Sequence, residues 1–330
     1  MLLSLVIPVY NEEKSLPLLM PILQPVLDGI DCAWEVLLVN DGSQDGTPES
    51  LEAMAAADNR IKVLHFSRNF GHQAAVTAGL DRASGDAVIV MDCDLQDPPE
   101  LLPALVQFYR EGYDIVSPQR AKRAEDSWFK RTTASMFYSV MRSMVDKRLP
   151  PEVGDFRLFS RRAVEAMRGF REQHRFLRGL AAWLGLKEVF VPFERQKRSA
   201  GETHYPLHKM IALAWTAILS FSPAPLRTSF FVGWMLCLAG LAYVAYVIYA
   251  NLFTSSTVPG WTSVVGLQVI SSGAILIALG LIGEYVARIF EESKNRPLYV
   301  VSETRNLETP VPSVDRGLTL PPKTHLQKKG

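Results

Sequence analysis

No aspartate, glutamate, lysine or arginine occurs between Arg227 and Glu284. Two apolar stretches, Phe230–Phe253 and Val264–Gly283, fill that span, and a polar turn, Thr254–Ser263, separates them. Each stretch approaches or exceeds the roughly 20 residues that cross a hydrocarbon core. A buried helical hairpin in a soluble domain is the alternative. The aromatic residues Trp234, Tyr243, Tyr246, Tyr249 and Trp261 favour a membrane hairpin instead. The expected spans are residues 229–253 and 264–286, within a hairpin region of 229–290. Arg227 precedes the first span, Arg288, Lys294 and Arg296 follow the second, and the turn carries no basic residue. Both ends are therefore expected in the cytosol. The N-terminal MLLSLVIPVYNEE has no basic n-region and no small-residue cleavage site, so it does not read as a secretory signal.

The chain ahead of the hairpin has a different texture. Apolar strand-like runs at Leu5–Pro8, Val36–Asn40, Ile61–Phe66, Ala87–Asp92 and Asp114–Pro118 alternate with helical patterns such as Thr47–Ala57, His72–Ala83 and Glu100–Glu111. That alternation predicts βαβ units and a mostly parallel α/β sheet. Three of the strands run into polar loops: Tyr10–Glu13, Asn40–Ser43 and Asp92–Asp97. In the stretch AVIVMDCDLQDPPE, Ala87–Glu100, a β-branched run ends in Asp92, Asp94 and Asp97. Extended geometry would aim Asp92 and Asp94 at one spot at the carboxyl edge of the sheet, where open α/β sheets bind ligands. Two close carboxylates call for a hard divalent cation that also holds a diphosphate. No G-x-G-x-x-G and no G-x-x-x-x-G-K-[ST] occurs in these turns, which disfavours a dinucleotide fold of the usual kind and a P-loop.

Bulk properties narrow the field. The formal net charge of +1 gives no footprint for nucleic acid. Cys32, Cys93 and Cys237 share no metal-ligand spacing. The segment Tyr205–Ser222 is apolar over most of a helical surface and reads as a helix lying in a membrane interface. The chain beyond Leu307 is polar and proline-rich and reads as disordered.

Assembled, these residues resemble the family 2 glycosyltransferases of the GT-A fold. More closely, they resemble the membrane-anchored polyprenyl-phosphate glycosyltransferases, a group that includes undecaprenyl-phosphate glucosyltransferase and dolichyl-phosphate mannose synthase. The matching segments are Ile7–Glu13 (IPVYNEE), Val39–Thr47 (VNDGSQDGT), Ser67–Gly79 (SRNFGHQAAVTAG), Ser84–Glu100, Gly154–Val164 (GDFRLFSRRAV) and Leu281–Phe290. The resemblance implies a Rossmann-like GT-A domain at 1–200, an interfacial helix region at 201–228, the hairpin, and a cytosolic tail at 291–330.

The resemblance also implies roles. Pro8, Tyr10, Glu12, Asp41 and Asp92 would bind the nucleotide sugar. Asp92, Asp94 and Gln96 would hold Mg²⁺ or Mn²⁺ against the diphosphate. Asp155 would sit at the acceptor phosphate as a base, or instead orient the acceptor or restrain an arginine such as Arg157. Arg131 and the cluster Arg195–Arg198, with Arg198 foremost, would offset developing diphosphate charge. His204 stands where relatives often carry lysine. The expected reaction is inverting, metal-dependent transfer of a hexose, glucose from UDP-glucose first, to undecaprenyl phosphate. The setting is the cytosolic face of a bacterial inner membrane. UDP-N-acetylhexosamine, UDP-aminoarabinose and GDP-mannose are the alternative donors, and a non-catalytic scaffold for a lipid-sugar flippase is the remote one. Processive synthases are disfavoured because Gln173-His174-Arg175-Phe176 is not Q-x-x-R-W and only one hairpin is present. A homo-oligomer is compatible with the chain.

Overall fold

A computed structural model describes residues 1–120, 153–193, 219, 222–253, 260–307 and 317–319. The chain divides into two units, Met1–Met210 with Asn295–Gly330, and Ile211–Lys294. The expectations for Arg131, Arg195–Arg198, His204 and nearly all of Tyr205–Ser222 fall outside the described residues.

The first unit is built on one sheet. Its strands are β1 (Leu2–Val9), β2 (Ala33–Asn40), β3 (Ile61–Phe66), β4 (Ala87–Val90), β5 (Ile115–Arg120), β6 (Arg157–Ser160), β7 (Glu188–Phe193), β8 (Tyr299–Arg305) and β9 (Gly317–Thr319). They lie in the order β7-β5-β6-β4-β1-β2-β3-β8-β9. The pairs β4–β1, β1–β2, β2–β3, β5–β7 and β8–β9 are parallel, whereas β6 runs antiparallel to both its neighbours and β8 antiparallel to β3. The mostly parallel α/β expectation therefore holds. The central strands are buried along almost their whole length, as parallel strands covered on both faces must be.

The helices of this unit are α1 (Leu16–Asp28), α2 (Thr47–Ala57), α3 (His72–Arg82), α4 (Leu102–Arg110), α5 (Arg161–Arg168) and α6 (Leu177–Trp183). Helix α1 survives Pro21 and Pro25 because both lie outside its buried stripe, Leu16, Leu19, Met20, Leu23 and Leu27. That spacing keeps one face on the core.

Strand β1 is followed on one side by β2 and β3 and flanked on the other by β4. The order thus reverses between β1 and β4, where α/β sheets leave a crevice. Pairing of β1 with β4 stops at Val6, two residues before Pro8. Pro8, which has no N–H to give, therefore stands where β4 no longer needs one.

The second unit contains α7 (Ala224–Phe253) and α8 (Trp261–Ser293), which pack on each other. The segments Ala224–Tyr249 and Gly266–Ser293 are long and apolar enough to cross a membrane, with mean hydropathy 2.0 and 1.9 over an 18-residue stretch of each. Within this unit the Tyr285 hydroxyl donates to the Ser222 carbonyl at 2.7 Å.

The C-terminal segment departs from the sequence expectation. Instead of a tail alone, the chain after α8 supplies β8 to the sheet of the first unit, and Gly317–Thr319 adds β9 beyond it. Tyr299 is fully buried, stacks on Phe66 with centroids 5.2 Å apart, and donates to Asp81 at 2.9 Å. Asp81 also takes two bonds from Arg171, at 2.8 and 2.9 Å. The amide of Asn306 donates to the carbonyls of Ala55 and Ile61.

Near the amino end of the central strand β2, Glu35 is buried and accepts from Ser4, Lys62 and Ser84. Burial alone would raise its pKa, but the Lys62 ammonium and the serine donors outweigh it and hold the carboxyl below its usual range. A depressed carboxyl contributes stability above its unfolded value, about 4.3, and loses it as pH falls through the folded value. Glu35→Gln is therefore expected to lower stability by about 1–3 kcal/mol near pH 7. In thermal unfolding the gap to wild type should close on acidification, and a gap that widens would contradict the assignment.

Candidate active site

Three loops meet at the carboxyl edge of β1, β2 and β4. The first two are laced together. Asn11, in a left-handed conformation with φ of 54°, receives from Gln44 N–H at 2.9 Å and donates its own N–H to Ser43 Oγ at 2.9 Å. Glu12 N–H reaches Thr47 Oγ1 at 2.9 Å. Tyr10 stands beside this lacing with its side chain exposed. Gly42, at φ of 69°, allows the second loop to lie against the backbone of Arg68 and Asn69: a Cβ there would be 2.4 Å from the Arg68 carbonyl carbon.

Asp41, expected among the nucleotide-sugar contacts, is buried, and its carboxylate accepts the N–H groups of Phe70 and Gly71 at 2.7 and 2.9 Å. Burial raises its pKa, and those two donors oppose the rise. Asp41 thereby holds the turn, with Gly71 at φ of 100°, from which α3 starts.

The third loop follows β4, which ends at Val90, so a turn rather than a strand pleat places Asp92 and Asp94. Leu95 adopts φ of 56° within it. Asp94 Oδ1 accepts Gln96 N–H at 3.1 Å, the short loop that aspartate favours. Gln96 and Asp97 are buried. The pKa of Asp92 is raised, mainly by burial and further by the charges of Asp155 and Asp94, with His72 opposing.

Strand β6 brings Asp155 to the same place. In the β4–β6 ladder Val90 pairs with Arg157. The ladder stops there, two residues short of Asp92 on one strand and of Asp155 on the other, so strand pairing brings together the ends of two segments that lie far apart in sequence. His72, the first residue of α3, sits between them, its Nε2 3.8 Å from Asp92 Oδ1 and 3.6 Å from Asp155 Oδ2. Arg178 in α6 grips Asp155 with two bonds, Nε to Oδ1 at 2.9 Å and Nη2 to Oδ2 at 3.1 Å. The result is an alternating row of charge: Asp92, His72, Asp155, Arg178.

Each member of the row shifts its neighbours' titration. Burial opposes charge on His72, but the two carboxylates outweigh it and raise its pKa. Burial likewise would raise Asp155, yet His72 and Arg178 hold its carboxyl far below the usual range. A carboxylate so stabilised is a poor proton acceptor. Both oxygens of Asp155 are engaged by Arg178, with His72 3.6 Å away. Its arginine partner is Arg178 and not Arg157, which is buried and donates to the Gly154 carbonyl at 3.2 Å. Sequence reasoning passed over His72 and Arg178. His72 lay inside a quoted segment with no role attached, and Arg178 stands in no motif.

Residues 4–168 match the model of glycosyl transferase family 2. The glycosyltransferase YkcC of Bacillus subtilis is 44% identical over 92% of this chain and 94% of its own length. The bactoprenol glucosyl transferase of Shigella phage SfV is 37% identical over 92% of this chain and 99% of its own. Among solved structures, the mannosyltransferase PcManGT from Pyrobaculum calidifontis, in complex with GDP-Man and Mn²⁺, covers 87% of this chain and 84% of its own at 17% identity and a TM-score of 0.44. The chain belongs to the family 2 glycosyltransferases. It is a glycosyltransferase, and its sheet is the mostly parallel α/β sheet expected from its sequence.

Proposed function

We propose that the protein transfers a hexose, glucose from UDP-glucose, to a polyprenyl phosphate with inversion at the cytosolic face of a membrane. The observation that carries this reading is the row Asp92–His72–Asp155–Arg178 at the β1–β4 crevice. It sets a donor-side carboxylate beside a cationic acceptor side. Relatives named bactoprenol glucosyl transferase, matched over nearly their whole length, support the lipid acceptor and the glucosyl donor.

In the proposed reaction an oxygen of the acceptor phosphate forms a bond to the anomeric carbon. The bond from that carbon to the nucleoside diphosphate breaks, and the electron pair leaves with the diphosphate. A phosphate monoester has a second pKa of about 6 and is largely dianionic near pH 7, so no side chain need take a proton. Pro8, Tyr10 and Glu12 border the nucleotide crevice, with Asp41 holding its floor. Asp155 keeps Arg178 and His72 in register on the acceptor side. Arg131 and Arg198 remain proposed as further cations, and His204 as a residue at the membrane surface.

Asp92 and Asp94 fit Mg²⁺ or Mn²⁺. Both offer hard oxygen donors, and their charges crowd each other in a half-buried loop. Among the described residues no three His, Cys, Asp or Glu side chains form a cage of their own. Mg²⁺ is commonly held by one or two carboxylates with phosphate and water completing the shell. Gln96, whose side-chain nitrogen is buried without a hydrogen-bond partner among the described residues, lies beside this pair. When bound, the ion would supply positive charge to the departing diphosphate.

A panel of labelled nucleotide sugars with undecaprenyl phosphate tests the reading. Lipid-linked glucose is expected, and no lipid-linked sugar from any donor would overturn it.

The proposed topology places both ends of the α7–α8 hairpin in the cytosol. Strand β8 supports it, because the chain after α8 rejoins the sheet that precedes α7, which an even number of crossings allows. A reporter fused at Gly330 should be active only in its cytosolic form. Activity on the far side would contradict the hairpin.

A further inference from the structure

Helix α6 is seven residues long, and no side chain at its N-cap, Phe176, bonds its first N–H groups. Those groups still need acceptors, especially where the first residue, Leu177, is buried. The Leu177 N–H finds one in Gln73 Oε1 at 3.1 Å, contributed by the first turn of α3. The next residue of α6 is Arg178, which makes the bidentate pair with Asp155. The preceding residue of α3 is His72, which touches the same carboxylate from the other side. Two consecutive residues of α3 therefore reach Asp155, His72 directly and Gln73 through the start of α6.

We propose that Gln73 is a positioning residue for glycosyl transfer, its amide oxygen fixing the first turn of α6 and so the guanidinium of Arg178 on Asp155. The proposal rests on the reading of Asp155 and Arg178 as the acceptor side of the site. Its physical basis is the weakness of α6 by itself. A helix of two turns does not hold its own ends in water, and its residues take their place from tertiary contacts. Arginine carries a long, many-rotamer side chain, so a small shift of its backbone is enough to break a two-bond pair. Displacements of about 1 Å at a reacting centre cost about 10²-fold in rate.

The test is a set of variants of the full-length protein in detergent, assayed with UDP-glucose and a polyprenyl phosphate. Gln73→Met keeps volume and helix propensity and removes the acceptor. Gln73→Glu keeps an acceptor oxygen. Gln73→Met is expected to lower kcat about 10- to 100-fold, with the donor KM within about threefold and the melting temperature near wild type. Gln73→Glu should recover most of the turnover. In an Arg178→Ala background, Gln73→Met should add little, because the group it positions is already gone. Wild-type turnover in Gln73→Met, equal losses in the Met and Glu variants, or fully additive losses with Arg178→Ala would each overturn the proposal. Asp155→Asn separates the two levels. If it is impaired while Gln73→Met is not, the Gln73 role alone fails. If Asp155→Asn turns over like wild type, the reading of the site fails with it.

Discussion

Asp155→Asn is expected to lower the rate of lipid-linked sugar formation by about 10²- to 10³-fold while leaving donor affinity within about threefold. The substitution keeps size and removes charge. Asp155 answers Arg178 with both carboxylate oxygens and lies 3.6 Å from His72. An amide offers one acceptor and turns an N–H₂ group towards a cation, so one of those contacts is lost and the other weakened. The proposed donor side, Asp92, Asp94 and the Tyr10–Glu12 loop, stays in place. The defect should therefore fall on turnover. Initial rates beside calorimetric titration with UDP-glucose separate the two quantities, and wild-type turnover would make Asp155 a structural residue. Acid should not mimic the mutation under mild conditions. The carboxyl is held far below its usual range, so its pairing persists above the unfolded value, about 3.9, and is lost only as pH falls well beneath that.

The fold was largely legible because its signals are local. Apolar runs broken by polar loops gave β1 to β4 within a few residues, and a charge-free span gave the two long helices. Where elements were misjudged, tertiary context decided. Strand β4 ends at Val90 and not at Asp92, because a left-handed Leu95 and an aspartate turn take over there. Strand β8 carries a readable signal, since Tyr299 and Val301 are buried and alternate with less buried neighbours. It was obscured by its position after a membrane-like helix and before a proline-rich end. The site divides in the same way. Asp92 and Asp94 announce themselves as a pair, and Asp155 was suggested by its motif. That Asp92 and Asp155 both reach His72 depends on a β4–β6 ladder that joins residues 67 apart at its nearest pairing, Val90 with Arg157, just before the two aspartate loops. Sequence spacing carries no trace of such a register. Arg178 and Gln73 are placed by helix packing, which leaves no fixed spacing to find.

Asp94→Asn is expected to reduce transfer by at least about 10³-fold and to weaken binding of the nucleotide sugar itself. Asp94 shares its turn with Asp92, and the two carboxylates crowd each other. A divalent ion between them and a diphosphate would relieve that crowding, and removing one carboxylate halves the protein's share of the attraction. The fold should survive. Asp94 Oδ1 accepts Gln96 N–H, and the asparagine oxygen can accept the same bond, so the turn keeps its shape. The loss should then match that of the wild-type protein in EDTA, in both donor affinity and rate, and added Mg²⁺ or Mn²⁺ should restore the wild type but not the variant. Asp155→Asn gives the contrasting pattern, slow transfer with donor binding retained. Full activity of the wild type in EDTA without added metal would sink the ion assignment and leave Asp94 as a turn-forming residue.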